Sequence, residues 1–213
     1  TRPAAALGPP SERARSSSAA QPEGPAAVNA GTLSFTGSRI AGFNLSPTGA
    51  GYPATTQQAH FFDPGATLGV SAGGGSVPAF SGQVVAPRNL ASLSSPTAYR
   101  TTFVSPLRAK IPRTTDLDVK WGAALGSDAD VLQVYIHEAW GARSVTADCR
   151  FPVPAQSGVV PVAVTSKFDR SADASNPGTI SVRPMRESEL AAGDWRVVVR
   201  AIGVGLRADL VTY

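Results

Sequence analysis

Residues 131–138 read Val-Leu-Gln-Val-Tyr-Ile-His-Glu. Leu132, Val134 and Ile136 recur at every second position, with Gln133, Tyr135 and His137 between them. A period of two is the pattern of a strand with one buried face, whereas a helix returns its apolar residues after three and four positions. The segment just before it, Leu117-Asp118-Val119-Lys120-Trp121, alternates in the same way, so Leu117, Val119 and Trp121 are expected to face a core together. The segment just after it, Val145-Thr146-Ala147-Asp148-Cys149-Arg150-Phe151, puts Cys149 on the face of Val145, Ala147 and Phe151, where it reads as a small buried apolar residue. Further on, Trp195, Val197 and Val199 share one face of a strand, and Arg196 and Arg200 share the other.

Read outward from these segments, strands are expected at 31–36, 39–45, 66–72, 77–86, 117–121, 131–138, 144–151, 159–165, 179–183, 195–202 and 204–212. Turn residues stand between them, as in Thr36-Gly37-Ser38 and Gly73-Gly74-Gly75. Pro78 marks an edge position or a bulge. Two short helical turns are expected, near 163–169 and at 186–192, the second closed by Gly193. Residues 1–27 are rich in Pro, Ala, Ser and Gly and contain one strong hydrophobe, Leu7, too little apolar surface to offset the entropy of ordering. The expected fold is all-β: an antiparallel β-sandwich in two blocks, 28–105 and 106–213, behind a disordered N-terminal tether, 1–27. A short echo joins the blocks, Val77-Pro78-Ala79-Phe80-Ser81-Gly82 against Val153-Pro154-Ala155-Gln156-Ser157-Gly158.

The composition agrees. The chain has 213 residues, 42% of them hydrophobic, so a substantial core can be buried. Gly (21) and Pro (18) are abundant, which suits short strands and turns. Only 16% of residues are charged, against about 25% in an average soluble domain. Between Val28 and Ser105 the charged residues are Arg39, Asp63, Arg88 and Arg100, so this region is expected to be tightly packed or covered by a partner. The net charge is +4, but no basic run or arginine stripe occurs, so nucleic acid is not expected as a partner. No apolar stretch approaches the roughly 18 residues of a membrane span. A single cysteine, Cys149, leaves no internal disulfide framework. The chain begins with Thr1 rather than Met, from which a removed upstream secretory segment is expected.

Motifs for chemistry are sparse. Gly69-Val70-Ser71-Ala72-Gly73 fits the G-x-S-x-G pattern of serine hydrolases, which requires a sharp strand-to-helix turn at the serine, yet Gly74, Gly75 and Pro78 follow. His60 and His137 stand far apart in sequence and match no zinc pattern. Asp128 and Asp130 lie in Gly126-Ser127-Asp128-Ala129-Asp130, a loop whose alternate carboxylates offer oxygen ligands for calcium; otherwise they are turn residues. Trp140, at the tip of the hairpin joining 131–138 to 144–151, is a candidate contact residue for sugar or protein, with Tyr135 and His137 leading to it on the outward face.

Leu117–Trp121 and the run Gly193-Asp194-Trp195-Arg196-Val197-Val198-Val199 resemble strands of immunoglobulin-like and fibronectin-III-like sandwich domains, without the paired cysteines of antibody domains. Ser76–Ser81, Pro87 and Asp194-Trp195 make the chain after residue 27 similar to secreted or lipid-anchored β-sandwich proteins of GC-rich bacteria. The resemblance implies a protein outside the cytoplasm and assigns no activity. The leading expectation is therefore a non-enzymatic extracytoplasmic binding or scaffold module, secreted or tethered at the cell surface. Its partner would be a protein, a polysaccharide or a second copy met through edge strands such as 204–213, and it would need no cofactor. The alternatives are a carbohydrate-binding module using Trp140 and Tyr135, with a structural calcium, and a hydrolase using Ser71.

Overall fold

A computed structural model describes residues 13–16, 28–48, 51–53, 61–90, 92–99, 107–122, 130–140, 143–168 and 178–212. The fold is all-β. Its strands among the described residues are β1 (Arg13–Ser16), β2 (Leu33–Thr36), β3 (Asn44–Leu45), β4 (Thr67–Ala72), β5 (Phe80–Val85), β6 (Leu93–Ser95), β7 (Ala98–Tyr99), β8 (Arg108–Ile111), β9 (Leu117–Trp121), β10 (Val131–Trp140), β11 (Arg143–Pro152), β12 (Ser157–Val160), β13 (Thr179–Ala192), β14 (Trp195–Ile202) and β15 (Leu206–Thr212), with a 3₁₀ turn at Val153–Ala155 and a short helix, α1 (Val162–Thr165).

The chain divides into two compact units. One comprises Thr1–Ser18, Leu90–Pro184 and Gly205–Tyr213, and the other Ala19–Asn89 and Met185–Val204. This is not the contiguous division expected at residue 105. The segment Met185–Val204 belongs with the earlier residues because Ala192 and Ala201 are buried among their apolar side chains.

The first unit is a sandwich. Its larger sheet has the order β1-β11-β10-β13-β15-β8-β7 and its smaller one β12-β9-β6. The pairs β10–β11, β13–β15 and β9–β12 are antiparallel, whereas β15 runs parallel to β8. Leu117, Val119, Trp121 and Val160 of the small sheet pack with Ile111, Leu132, Val134, Ile136, Ile180 and Val182 of the large one. Each such side chain removed from water contributes on the order of 1.5–3 kcal/mol. Trp121 is core, as its alternation requires, and its indole N–H donates to the Val153 carbonyl at 2.8 Å. Val145, Ala147 and Phe151 are buried, and Cys149 is partly buried against the same core.

Four residues of the expected tether, Arg13–Ser16, form β1 against the outer edge of β11, whose backbone groups would otherwise lack a strand partner. The C-terminal strand departs further from expectation. β15 lies between β13 and β8 in the strand order, with Leu206–Asp209 paired to β13 and Asp209–Thr212 paired to β8, so it is not the end strand of its sheet. The strand expected at 159–165 stops at Val160, because Pro161 has no amide hydrogen to continue the ladder. Helix α1 follows, and its Val162 N–H is capped by the Asp116 carboxylate at 2.7 Å.

The second unit sets a sheet of order β3-β2-β4-β5 with a hairpin made of the later half of β13 and β14. Two small cores form there: Ala30, Ala72, Val77 and Ala192 with Leu33, Phe80 and Val197, and Leu68, Val84, Ala86 and Ala201 with Phe62 and Val199. Residues 186–192, expected to be a helical turn, are strand. Their helix-favouring composition yields to cross-strand partners: Glu189 pairs with Arg196 and Glu187 with Arg200. Gly193 does not cap a helix. It has φ +60°, with Asp194 at negative φ, and opens a two-residue hairpin turn of the II′ pattern. Trp195 sits beside that turn and is 45% exposed, although Val197 and Val199 on the same face are packed.

Two substitutions test these features. Trp121→Phe removes the indole donor of the Val153 carbonyl, which keeps the longer bond from the Gln156 N–H at 3.2 Å, and is expected to cost about 1–3 kcal/mol in denaturant unfolding. Gly193→Ala forces an L-side chain into the left-handed region and is expected to cost at least about 1 kcal/mol, while Asp194→Ala beside it changes stability by much less.

Candidate functional site

Strand β10 sends Leu132, Val134 and Ile136 into the core, so Gln133, Tyr135 and His137 must emerge on the opposite face of the large sheet. The antiparallel register sets Arg150 opposite Gln133, Asp148 opposite Tyr135 and Thr146 opposite His137. On that face the side chains form two adjoining polar groups. Gln133 is only 6% exposed. Its amide nitrogen donates to Asp148 Oδ1 at 3.0 Å, and its carbonyl oxygen accepts from Arg183 Nε at 3.1 Å. Arg150 donates to the other Asp148 oxygen at 3.2 Å. The Tyr135 and His137 rings lie nearly parallel, 18° apart with centroids at 6.4 Å, and His137 Nδ1 shares a hydrogen bond with Thr146 Oγ1 at 3.2 Å.

This arrangement is a platform rather than a cavity. It offers a half-buried pair of aromatic faces beside guanidinium, carboxylate, amide and hydroxyl groups whose positions are held by one another. Such a surface can stack against a flat ligand and exchange hydrogen bonds with it.

Tyr135 and His137, both expected at the site, are brought together. Trp140 is the last residue of β10, opposite Arg143, and its side chain lies outside the described residues. Position 140 has the parity of Leu132, Val134 and Ile136, opposite to that of Tyr135 and His137. Glu138 shares that inner parity and is buried at 4% exposure, so it does not extend a surface patch from His137. Asp128 and His60 lie outside the described residues. Asp130 is buried, and its carbonyl accepts the Val153 N–H at 3.1 Å. Among the described residues no three His, Cys, Asp or Glu side chains gather as a metal site would require.

Ser71 stands within β4, opposite Ser34 on β2 and Ser81 on β5. It is a strand residue and not the apex of a strand-to-helix turn, so the geometry of a nucleophile elbow is absent at Gly69–Gly73. His137 belongs to the other unit.

A groove of about 540 Å³ lies in the first unit, bordered by Thr97, Lys110, Thr115, Asp116 and Asp118. One of its carboxylates and one of its backbone carbonyls serve the fold. Asp116 caps α1, and the Asp118 carbonyl accepts the Ser95 hydroxyl at 2.5 Å.

Gln133, Thr146, Asp148, Arg150 and Arg183 were not foreseen as a site. Parity alone places the first four on the outward face. Arg183 stands 50 residues from Gln133, and only strand order brings them together. Comparison with known proteins finds no matching family description, curated protein or solved structure.

Gln133→Leu keeps the volume but strips Asp148 and Arg183 of a partner. Its expected cost is about 1–3 kcal/mol. In a double-mutant cycle, Asp148→Ala is expected to cost less in the Gln133→Leu background than alone; strictly additive values would mean that the two groups are not coupled.

Proposed function

We propose that this chain is a non-enzymatic binding module that works outside the cytoplasm, secreted or held at a cell surface, and that it recognises a polar, extended ligand of the polysaccharide class. The observation that carries this reading is the ordered polar face of β10, β11 and β13. There, stacked aromatic rings adjoin hydrogen-bonding groups already fixed in place, which lowers the entropy lost on binding. Compared with the trio read from sequence, the contact set shifts from Trp140 toward Tyr135, His137, Thr146 and Arg150. A net charge of +4 further favours an anionic glycan.

The immunoglobulin-like reading is supported for the first unit by its strand order. The sheet β6-β9-β12 faces β8-β15-β13-β10-β11, a division of consecutive strands between two sheets like that of immunoglobulin sandwiches. That fold hosts many functions, so it lends the binding reading no weight of its own.

The test is a titration of the full chain against neutral and anionic polysaccharides by calorimetry. Binding of at least one is expected. Tyr135→Ala is expected to weaken it about tenfold or more, the loss of one stacking contact of about 1–3 kcal/mol, while the thermal midpoint moves little because Tyr135 is outside the core. Binding to no polysaccharide, or equal binding by Tyr135→Ala, would sink the proposal.

A further inference from the structure

The echo between residues 77–82 and 153–158 extends further along the chain. Val77-Pro78-Ala79-Phe80-Ser81-Gly82-Gln83-Val84-Val85-Ala86-Pro87 and Val153-Pro154-Ala155-Gln156-Ser157-Gly158-Val159-Val160-Pro161 both close on Val-Val before a proline. The structure builds the two alike in part: Val153–Ala155 make a 3₁₀ turn closed by Gln156 at φ 56°, whereas Phe80 already begins β5, but the strands that follow share two features. Val77 and Val153 are buried. Each glycine is overlain by a large side chain of its own unit: a Cβ on Gly82 would meet Leu190 Cδ2 at 2.1 Å, and one on Gly158 would meet Phe151 Cδ1 at 2.4 Å. Each strand ends its sheet, β5 in the order β3-β2-β4-β5 and β12 in the order β12-β9-β6. The chain has thus made the same uncharged, proline-bounded edge twice.

Apart from β12, whose four residues are also uncharged, the other sheet ends among the described residues are blunted, β14 by Arg196 and Arg200. β3 and β7 have two residues each, β6 is short and irregular in register, and β1 carries two arginines. Natural edge strands are protected in these ways against pairing with other chains. β5 lacks that protection. It is six residues long, carries no charge, and leaves Ser81, Gln83 and Val85 exposed. By the alternation of an antiparallel ladder, every second residue of β5 turns its N–H and C=O away from β4.

We propose that β5 is a docking edge for the β5 of a second copy of this chain, the two strands running antiparallel about a two-fold axis with Gln83 opposite Gln83. The occupant follows from the strand itself. In this register Ser81 faces Val85, Gly82 faces Val84, and the two Gln83 amides can bond each other. Arg88 comes opposite Pro78 and not opposite a second Arg88, so self-pairing meets no like-charge contact. The proline at each end stops both strands at the same length. Two four-stranded sheets then become one continuous sheet, and an isologous contact of this kind closes without forming a filament. This surface shares no residue with the Tyr135 platform.

Sedimentation velocity of the full chain over a range of concentrations tests the proposal. A reversible monomer–dimer equilibrium is expected. Gln83→Lys sets two ammonium groups face to face and is expected to weaken dimerisation about tenfold or more, with an unchanged circular dichroism spectrum. Val159→Lys, on the twin edge β12, is expected to leave dimerisation as it was. Should Gln83→Lys fail to fold, hydrogen exchange on the unaltered chain decides, since protection at Ser81, Gln83 and Val85 must rise with protein concentration. A chain monomeric at every soluble concentration, a dimer insensitive to Gln83→Lys, a dimer lost instead in Val159→Lys, or exchange independent of concentration would each overturn it.

Discussion

Leu132, Val134 and Ile136 are completely removed from solvent, and the rest of the first unit is placed by that burial. Three consecutive inward positions on one strand cannot move by one residue without turning every apolar group outward and every polar group inward. The register of β10 against β11 is therefore pinned by the core. The same constraint reaches the opposite face: because the inner row is locked, Gln133, Tyr135 and His137 have a single outward placement, and Arg150, Asp148 and Thr146 stand opposite them. The polar network is a consequence of the apolar one.

That network has its own logic. Gln133 is almost entirely buried although it lies on the face away from the core, and its amide uses both ends, donating to Asp148 and accepting from Arg183. A buried amide with its bonds made is held rigidly, whereas one with bonds missing would be costly. The rigidity suits a recognition surface, because it fixes donors and acceptors in space. The second unit solves a different problem. It has few charges and two small cores, its sheet ends at β5 among the described residues, and it relies on close approach, as where Leu190 packs over Gly82.

Alternation made some elements legible at the level of single residues. The limits of β9 and β14 coincide with the segments read from sequence, and Leu117, Val119 and Trp121 are buried as their spacing demands. Where local and long-range preferences compete, the reading failed. Residues 186–192 carry helix-favouring Glu, Leu and Ala, yet they are strand because β14 supplies partners for the backbone and for both glutamates. Helix α1 was legible only in outline, since its first amide is capped by Asp116, 46 residues earlier. Of the site, Tyr135 and His137 were visible as outward residues. Arg183 was not, because its place beside Gln133 depends on which strand lies next to β10.

By itself, the order of apolar and polar residues determined that this chain is made of strands, and which side of β9, β10 and β11 is dry. Period-two burial is a local property, written in neighbouring residues. Which strands lie side by side was decided only by the tertiary structure: that β15 sits inside a sheet rather than at its rim, that β5 ends one, and that a hairpin late in the chain joins the early unit. Strand order is settled by closing long loops around a common interior, and the free energy of that closure belongs to the whole chain and to no single segment of it.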